Sequence, residues 1–258
     1  MAIPKIIHYC WLSDESYPDL VRRCMQTWKE NLSDYRIVLW DMSRFDISSV
    51  PWVEQACAAK KWAFAADYIR LYALYNYGGV YLDSDVEVLK PFDGLLDRPY
   101  FFGREHTPDR IENQDSIEAA TMGAEKGFPF LKKVMGFYEG HEFIDADGNL
   151  DTTTLPTILA RMLKGESLEI LPMDYFSPKN TRTLELHITG NTYSIHHFNG
   201  SWHSSAQQKH VILRTKLCKI LGECAGDILS SFLAIFIHLR YDGMQTTINT
   251  IRKKIKIV

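Results

Sequence analysis

The apolar residues in the first part of the chain recur with periods that alternate between those of strands and helices. Residues 3–9 form a short apolar run that predicts a strand, and residues 17–31 place apolar side chains on one face of a helix. Residues 35–41 predict a second strand. The order strand, helix, strand is the opening of a parallel α/β sheet.

The longest helical pattern lies at residues 55–77, which are rich in Ala and Leu and contain no Gly or Pro. We expect this helix to end at Gly78 and Gly79, because glycine tolerates the left-handed conformation that terminates helices. The next residues, 80–88, read VYLDSDVEV and predict a strand that is apolar at its start.

Further elements follow along the chain. Residues 100–103 are strand-like, and residues 104–116 form a polar loop. Helices are predicted at residues 129–139 and from Pro156, where Thr154 is the expected cap.

Near residue 205 both the pattern and the charge change. Two helical patterns and a basic end follow this point. From Lys209 onward nine Lys and Arg stand against three Asp and Glu, whereas 20 basic residues stand against 29 acidic ones before it. We therefore predict two domains, residues 1–205 and 206–258. The acidic balance of the first domain argues against a nucleic-acid partner.

The basic residues of the second domain are compatible with contact with a membrane. They could bind anionic lipid head groups while the apolar run ILSSFLAIFI packs below them. An ordinary helical cap with a solvated basic tip fits the same pattern equally well. The residues are Lys209, Arg214, Lys216, Lys219, Arg252, Lys253, Lys254 and Lys256.

Composition sets the broad class. A hydrophobic fraction of 46% and a charged fraction of 24% exclude disordered, collagen-like and coiled-coil proteins. The five cysteines form no CxxC pair and no signal peptide precedes the first strand, which indicates buried thiols in a reducing, cytoplasmic compartment. No apolar run approaches the roughly 20 residues of a membrane-spanning helix.

Two carboxylates, Asp83 and Asp85, end the run VYLDSD. Residues two apart on a strand point to the same side, so both can bind one object, and such oxygen ligands suit Mg²⁺ or Mn²⁺. A haloacid-dehalogenase-like phosphatase, with Asp83 as nucleophile and Asp85 as acid/base, also fits. That family normally carries the motif on its first strand, whereas here about eighty residues precede it.

Asp67 and Arg70 lie three residues apart, on one face of the predicted helix. An arginine beside a metal–diphosphate group can donate to phosphate oxygens, and an aspartate can accept from sugar hydroxyls. A local structural ion pair is the alternative.

The segments IIHYCW and AFAADYIRLYALYNYGGVYLDSDV together resemble glycosyltransferase family 32, over residues 1 to about 205. The resemblance implies a GT-A fold, a nucleotide-sugar-binding α/β sandwich with a mostly parallel central sheet and here a C-terminal helical extension. It implies that Trp11 stacks on the nucleobase, that Asp67 and Arg70 bind sugar and diphosphate, and that Tyr81 neighbours the nucleotide.

The same resemblance gives the metal site. Asp83 would contact ribose or metal-bound water, and Asp85 would ligate Mn²⁺ or Mg²⁺. The later segment HHFNGSW resembles a His-x-x-Gly element of retaining GT-A enzymes. On that match His197 is the third metal ligand, and Ser201 and Trp202 lie over the leaving group.

Two features of the motifs qualify the match. His196 is the less favoured of the two adjacent histidines. Eukaryotic members have Thr-Gly-Pro where this chain has Thr154, Leu155 and Pro156, which affects acceptor and sugar contacts rather than the metal site.

The implied function is a metal-dependent, retaining glycosyltransferase of surface-polysaccharide or capsule synthesis, with Asp67, Arg70 and Asp85 as catalytic residues. A UDP-sugar is favoured over a GDP-sugar as donor, although the mannosyl branch uses GDP. The acceptor would be a glycan or a lipid-linked oligosaccharide, reached from the cytoplasm by peripheral membrane contact. Besides the phosphatase, a non-catalytic sugar-nucleotide or glycan-binding module remains an alternative.

Overall fold

The computed structural model describes residues 3–105, 117–200, 204–241 and 243–244. Contacts divide the chain into two compact units. The first comprises Met1–Lys179 with His187–Phe198, and the second comprises Asn180–Leu186 with Asn199–Val258. The predicted division into residues 1–205 and 206–258 stays a prediction.

Seven strands are described in the first unit. They are β1 (Ile6–Cys10), β2 (Arg36–Trp40), β3 (Gly79–Leu82), β4 (Val86–Val88), β5 (Tyr100–Arg104), β6 (Ile117–Ala124) and β7 (Ser194–His196). Five of them form the central sheet in the order β2-β1-β3-β6-β5, with β1 parallel to β2 and β3 and with β6 antiparallel to both neighbours. Four of the five strands therefore share one direction, and the predicted mostly parallel α/β sheet is confirmed.

Helices cover both faces of this sheet. They are α1 (Asp19–Asn31), α2 (Pro51–Ala58), α3 (Trp62–Tyr77), α4 (Pro129–Glu139) and α5 (Leu155–Met162). Side chains of β3 alternate between the two faces: Val80 packs with Ile7 and Trp28, and Tyr81 packs in the cluster on the other face. Burying each large apolar side chain contributes roughly 1.5–3 kcal/mol, so both faces hold the sheet in place.

The helix predicted at residues 55–77 is two helices, because α2 ends in a Schellman motif. Lys60 adopts a left-handed conformation with φ of 54°, and the N–H groups of Lys60 and Lys61 donate to the carbonyls of Cys57 and Ala56. A non-glycine residue in this conformation gives little signal in the sequence. The end of α3 follows the prediction, since Gly78 has φ of 65° and its N–H donates to the Leu74 carbonyl.

The strand predicted at residues 80–88 is also interrupted. A turn follows β3, in which the Val86 N–H donates to the Asp83 carbonyl at 3.0 Å. The next strand, β4, leaves the central sheet and pairs with β7 in a separate two-stranded sheet. Asp83 and Asp85 therefore lie in a turn between β3 and β4. The prediction that they share one side of a continuous strand is wrong.

The structure has a strand, β6, at residues 117–124, where no strand is predicted from the sequence. All of its residues are buried, but half of its sequence IEAATMGA is Ala or Gly, and only Ile117 and Thr121 are of the β-branched kind that marks strands. Small residues fit here because aromatic side chains fill the space: a Cβ on Gly123 would meet the Phe101 ring at 2.2 Å.

Two helices of the second unit confirm the predicted helical extension. They are α6 (Ser205–Leu221), which Ser204 and Gln207 begin with a capping box, and α7 (Glu223–Tyr241). Among the described helices α7 is long and apolar enough to cross a membrane by length and composition, which corrects the expectation that no segment is. Cys224 is exposed while the other four cysteines are buried, so the expectation of buried thiols is wrong at this residue.

His8 is a buried histidine that the fold holds neutral. Its Nε2 donates to the Gly78 carbonyl at 2.9 Å, and its Nδ1 accepts from the Trp40 indole N–H at 3.0 Å. A proton on Nδ1 would oppose the indole N–H. Burial is the main cause that lowers the pKa of His8 to about 4.

We predict that His8 makes the free energy of unfolding depend on pH. The unfolded chain protonates this imidazole near its ordinary pKa of 6.5, and the folded chain only near 4. Its folded pKa is depressed, so stability is complete above pH 6.5 and is lost as the pH falls towards 4. Between pH 7.5 and 5 the wild-type chain should lose about 2 kcal/mol more than His8→Asn in urea unfolding. Identical losses in the two proteins would contradict this account.

Candidate functional site

The candidate site lies at the carboxyl ends of β1 and β3, where open α/β sheets place their ligands. The parallel register aligns His8 with Tyr81, so Trp11 continues β1 at the level of the turn after β3. The Trp11 ring is partly buried, meets the Tyr17 ring edge-on at 4.8 Å between centroids, and donates from Nε1 to the Glu15 carbonyl. This places an aromatic ring at the edge predicted to hold the nucleobase.

A buried arginine holds the first carboxylate of the turn. Nη2 of Arg70 lies 3.3 Å from Asp83 Oδ1, and Nη1 of Arg70 donates a hydrogen bond to Asp83 Oδ2 at 3.4 Å. Tyr81, which is 1% exposed, donates its hydroxyl to Asp83 Oδ1 at 3.0 Å. Arg70 also donates to the Ala119 and Ala66 carbonyls. Its donors are thus engaged within the protein, and its observed role is to fix Asp83.

Asp67 lies on the other side of the same guanidinium. Its Oδ1 is 3.1 Å from Arg70 Nη2, and the backbone N–H of Leu155, at the start of α5, donates to its carboxylate. Burial, opposed by Arg70 and assisted by Asp83, raises the pKa of Asp67 to about 7. Asp67 and Arg70 therefore form an ion pair. The loop that has Leu155 where eukaryotic members have glycine contacts Asp67 through the Leu155 backbone N–H.

The pairing of β4 with β7 brings a histidine to the acidic turn. Val86, which follows Asp85 directly, is opposite His196 in this antiparallel pair. One nitrogen of His196, Nε2, lies 3.6 Å from Asp85 Oδ1. Ligand atoms of Asp83, Asp85 and His196 all lie within 4.8 Å of one another. Among the described residues, this group can hold a metal ion.

Glu118, a residue that the sequence analysis does not single out, completes this arrangement. It lies on β6, is 2% exposed, and places Oε1 3.1 Å from Nδ1 of His196. The same oxygen accepts the Ala120 N–H at 2.7 Å. Burial by itself would lower the pKa of His196, but the Glu118 and Asp85 carboxylates outweigh it and raise the pKa to about 10. The Glu118 carboxylate thus lies against Nδ1 of His196, while Nε2 of the same ring lies against Asp85.

His197 points elsewhere. Its Nε2 lies 2.9 Å from Glu87 Oε2, and its carbonyl accepts a hydrogen bond from the partly buried Lys179 at 2.7 Å. Its assignment as a metal ligand stays a prediction, while the geometry brings His196 to the carboxylates. The predicted leaving-group residues Ser201 and Trp202 lie outside the described residues.

Asp83 and Asp85 of the turn and His196 of β7 offer the kinds of ligand atom that bind a divalent cation. Two carboxylates and one imidazole supply hard oxygen and borderline nitrogen ligands, which suit Mn²⁺ or Mg²⁺. The chain beyond β7 bends sharply, because Phe198 has φ of 53° and places its ring 4.0 Å from that of His196. Strained non-glycine residues cluster at functional sites, although Lys60 shows that they also end helices.

Comparison with known proteins finds a family match for the segment that carries the two carboxylates of this site. Residues 18–102 match the family model of the glycosyltransferase sugar-binding region containing the DXD motif. This part of the chain is similar to the DXD-containing glycosyltransferase family. The match includes Asp67 and Arg70 on α3, and it makes Asp83-Ser84-Asp85 the DXD motif. The predicted family resemblance is confirmed.

Individual curated proteins are similar to part of the chain. Inositol phosphoceramide mannosyltransferase 3 of Schizosaccharomyces pombe is 35% identical over 138 residues, which are 52% of this chain and 36% of that protein. Mannosyl phosphorylinositol ceramide synthase SUR1 of Saccharomyces cerevisiae is 31% identical over 137 residues, which are 52% of this chain and 34% of that protein. The chain thus spans about a third of the length of these two relatives.

A solved structure, the PaToxG glycosyltransferase, aligns with 64% of this chain and 70% of its own chain at 18% identity and a TM-score of 0.47.

Nothing in these comparisons supports the expected cytoplasmic location.

We predict that His196, and not His197, contributes to cation binding at the DXD motif. His196→Asn should weaken Mn²⁺ affinity by about tenfold or more, because a ligand nitrogen is lost or misplaced. The adjacent His197→Asn is the matched control and should change affinity less than about threefold, since its ring lies against Glu87. Calorimetric titration with Mn²⁺ measures both. The reverse order of the two variants would restore the assignment of His197.

We also predict that Glu118→Gln weakens Mn²⁺ binding by about 10- to 100-fold without removing any ligand, because His196 loses the carboxylate that orients it. Electron paramagnetic resonance of free Mn²⁺ reports the affinity directly, and circular dichroism confirms that the variant is folded. Glu87→Gln, which removes a carboxylate beside His197, serves as control. Unchanged affinity in Glu118→Gln would mean that Glu118 has only a structural role.

Proposed function

We propose that the chain is a metal-dependent glycosyltransferase that moves a sugar from a nucleotide-sugar donor to a glycan or lipid-linked acceptor. The observation that carries the proposal is the convergence of His196 on Asp83 and Asp85, the two carboxylates of the segment that matches the DXD family. The family match supports the reaction class, and the three ligand atoms support dependence on a metal.

Asp83, Asp85 and His196 would hold Mn²⁺ or Mg²⁺ in this proposal. A divalent ion bound there would neutralise the charge that develops on the departing diphosphate. Arg70 keeps Asp83 in place for this purpose, and Glu118 keeps His196 in place. Because His196 carries a proton when its pKa is raised, cation binding would displace that proton.

Donor binding would involve the residues around this centre. Trp11 would stack on the nucleobase at the end of β1, and Asp67, whose side chain is 12% exposed, would accept hydrogen bonds from sugar hydroxyls. Buried Tyr81 would act through Asp83. Contact of Arg70, Ser201 or Trp202 with the diphosphate stays a prediction.

The names of the relatives favour mannose as the transferred sugar and an inositol-containing sphingolipid as a model for the acceptor. A mannosyl donor would be a GDP-sugar in the mannosyl branch of the family, so the expected preference for UDP stays an open prediction. A role in surface-polysaccharide or capsule synthesis likewise stays a prediction.

We further propose that transfer retains the anomeric configuration, as the family resemblance implies. In this path the leaving phosphate oxygen takes the proton of the acceptor hydroxyl on the same face of the sugar. Peripheral contact of residues 206–258 with a membrane would bring the enzyme to a lipid-linked acceptor.

The two alternative functions have less support. A phosphatase would need an Asp83 carboxylate free to attack phosphorus, whereas both of its oxygens lie against Arg70 or Tyr81. A non-catalytic binding module would not need the buried Glu118 that orients His196.

The proposal predicts chelator-sensitive release of a nucleoside diphosphate from one donor in a panel that includes GDP-mannose and UDP-sugars. Asp85→Asn should lower turnover by about 100-fold or more, because the charge on the leaving diphosphate is no longer offset. Glu87→Gln, two residues later, is the matched control and should retain turnover within about threefold. Full activity of Asp85→Asn would overturn metal dependence, and hydrolysis of phosphate monoesters in place of sugar transfer would favour the phosphatase.

A further inference from the structure

The second unit is a pair of helices that packs through small residues and exposes large ones. On α7 the buried residues Gly226, Ser230 and Ala234 recur every fourth position. A Cβ on Gly226 would lie 2.4 Å from the backbone nitrogen of Cys218 on α6, so the two helices are in backbone contact there. Close packing through small residues leaves the large apolar residues of α7 to face outward.

The outward face of α7 is a continuous apolar stripe. Its members recur at helical spacing, and the two phenylalanines, Phe232 and Phe236, are 66% and 68% exposed. Globular proteins rarely leave such a stripe uncovered, which indicates a surface that binds something. The stripe consists of Ile228, Leu229, Phe232, Ile235, Phe236 and Leu239.

The neighbouring helix α6 adds charge of one sign. Its exposed face mixes lysines with large apolar residues: Lys209, Lys216 and Lys219 are exposed, as are Ile212 at 52% and Ile220 at 77%. A face of this composition is typical of helices that lie in the interface of an anionic membrane. The acidic residues Glu223 and Asp227 of α7 both pair with Arg182, which leaves one net negative charge against the three exposed lysines of α6.

We propose that the outward faces of α6 and α7 bind the surface of a lipid bilayer that contains anionic lipids. The stripe of α7 would enter the boundary between head groups and acyl chains, and the lysines of α6 would contact the head groups. At about 1.5 Å per residue, α7 extends roughly 28 Å along the membrane plane. This inference specifies the membrane contact of the proposed function, but it does not depend on sugar transfer.

Co-sedimentation of the full chain with phosphatidylcholine vesicles, with and without phosphatidylserine, tests the proposal in the absence of any donor. The wild-type chain should bind the anionic vesicles, and added salt should weaken binding. Phe232→Ser/Phe236→Ser should reduce binding by about tenfold or more, and Lys216→Glu/Lys219→Glu should abolish the preference for phosphatidylserine. Met42→Ser, which removes an exposed apolar side chain from the first unit, is the control and should bind like wild type.

Several outcomes would overturn the proposal. They include a wild-type chain that ignores both kinds of vesicle and a double phenylalanine variant that binds as well as wild type. If that variant changed a dimer to a monomer in sedimentation velocity without affecting vesicle binding, the stripe would be a subunit interface. Resistance of the membrane-bound chain to alkaline carbonate extraction would mean that α7 spans the bilayer. Vesicle binding without turnover of any donor would leave this inference intact and refute only the transferase.

Discussion

The buried guanidinium of Arg70 is the interaction on which the arrangement of the site depends. An arginine stays charged at any accessible pH, so burying it requires anionic partners and hydrogen-bond acceptors on every side. Asp67 and Asp83 supply the charge, and the Ala66 and Ala119 carbonyls accept the remaining donors. Leaving such a charge without a partner typically costs about 3–5 kcal/mol, which ties helix α3, the DXD turn and β6 to one another.

Because Arg70 is buried, the two DXD carboxylates have different surroundings. Asp83 is held by Arg70 and Tyr81, so its position is set before any ligand arrives. Asp85 lies two residues further along the turn, beside His196. Asp83 is already fixed, and Asp85 already faces His196. These side chains therefore need little reorganisation to bind a cation.

Much of this was accessible from the sequence, for identifiable reasons. Residues that are near each other along the chain, such as Asp67 with Arg70 and Asp83 with Asp85, follow from helix periodicity and from the motif itself. The sheet class followed from the order of strand and helix patterns. The interruption at Lys60 did not, because no sequence signal marks a lysine with positive φ.

Long-range pairing explains the remaining differences. Glu118 lies on a buried strand in which half of the residues are Ala or Gly, so the usual strand composition is weak and tertiary packing reveals it. The choice between His196 and His197 depends on the register of β7 against β4, more than 100 residues apart in sequence, and a shift of one residue reverses which side chain faces the carboxylates. A motif match aligned on glycine spacing favours His197, whereas the strand register brings His196 to Asp85.

The most direct test of the account is the position of Mn²⁺ in crystals of the chain, located by anomalous scattering. We expect one strong peak within coordination distance of Asp83 or Asp85 and of Nε2 of His196, with Glu118 still against Nδ1. A peak bound by His197 and Glu87, or no peak at the DXD turn at saturating Mn²⁺, would contradict it.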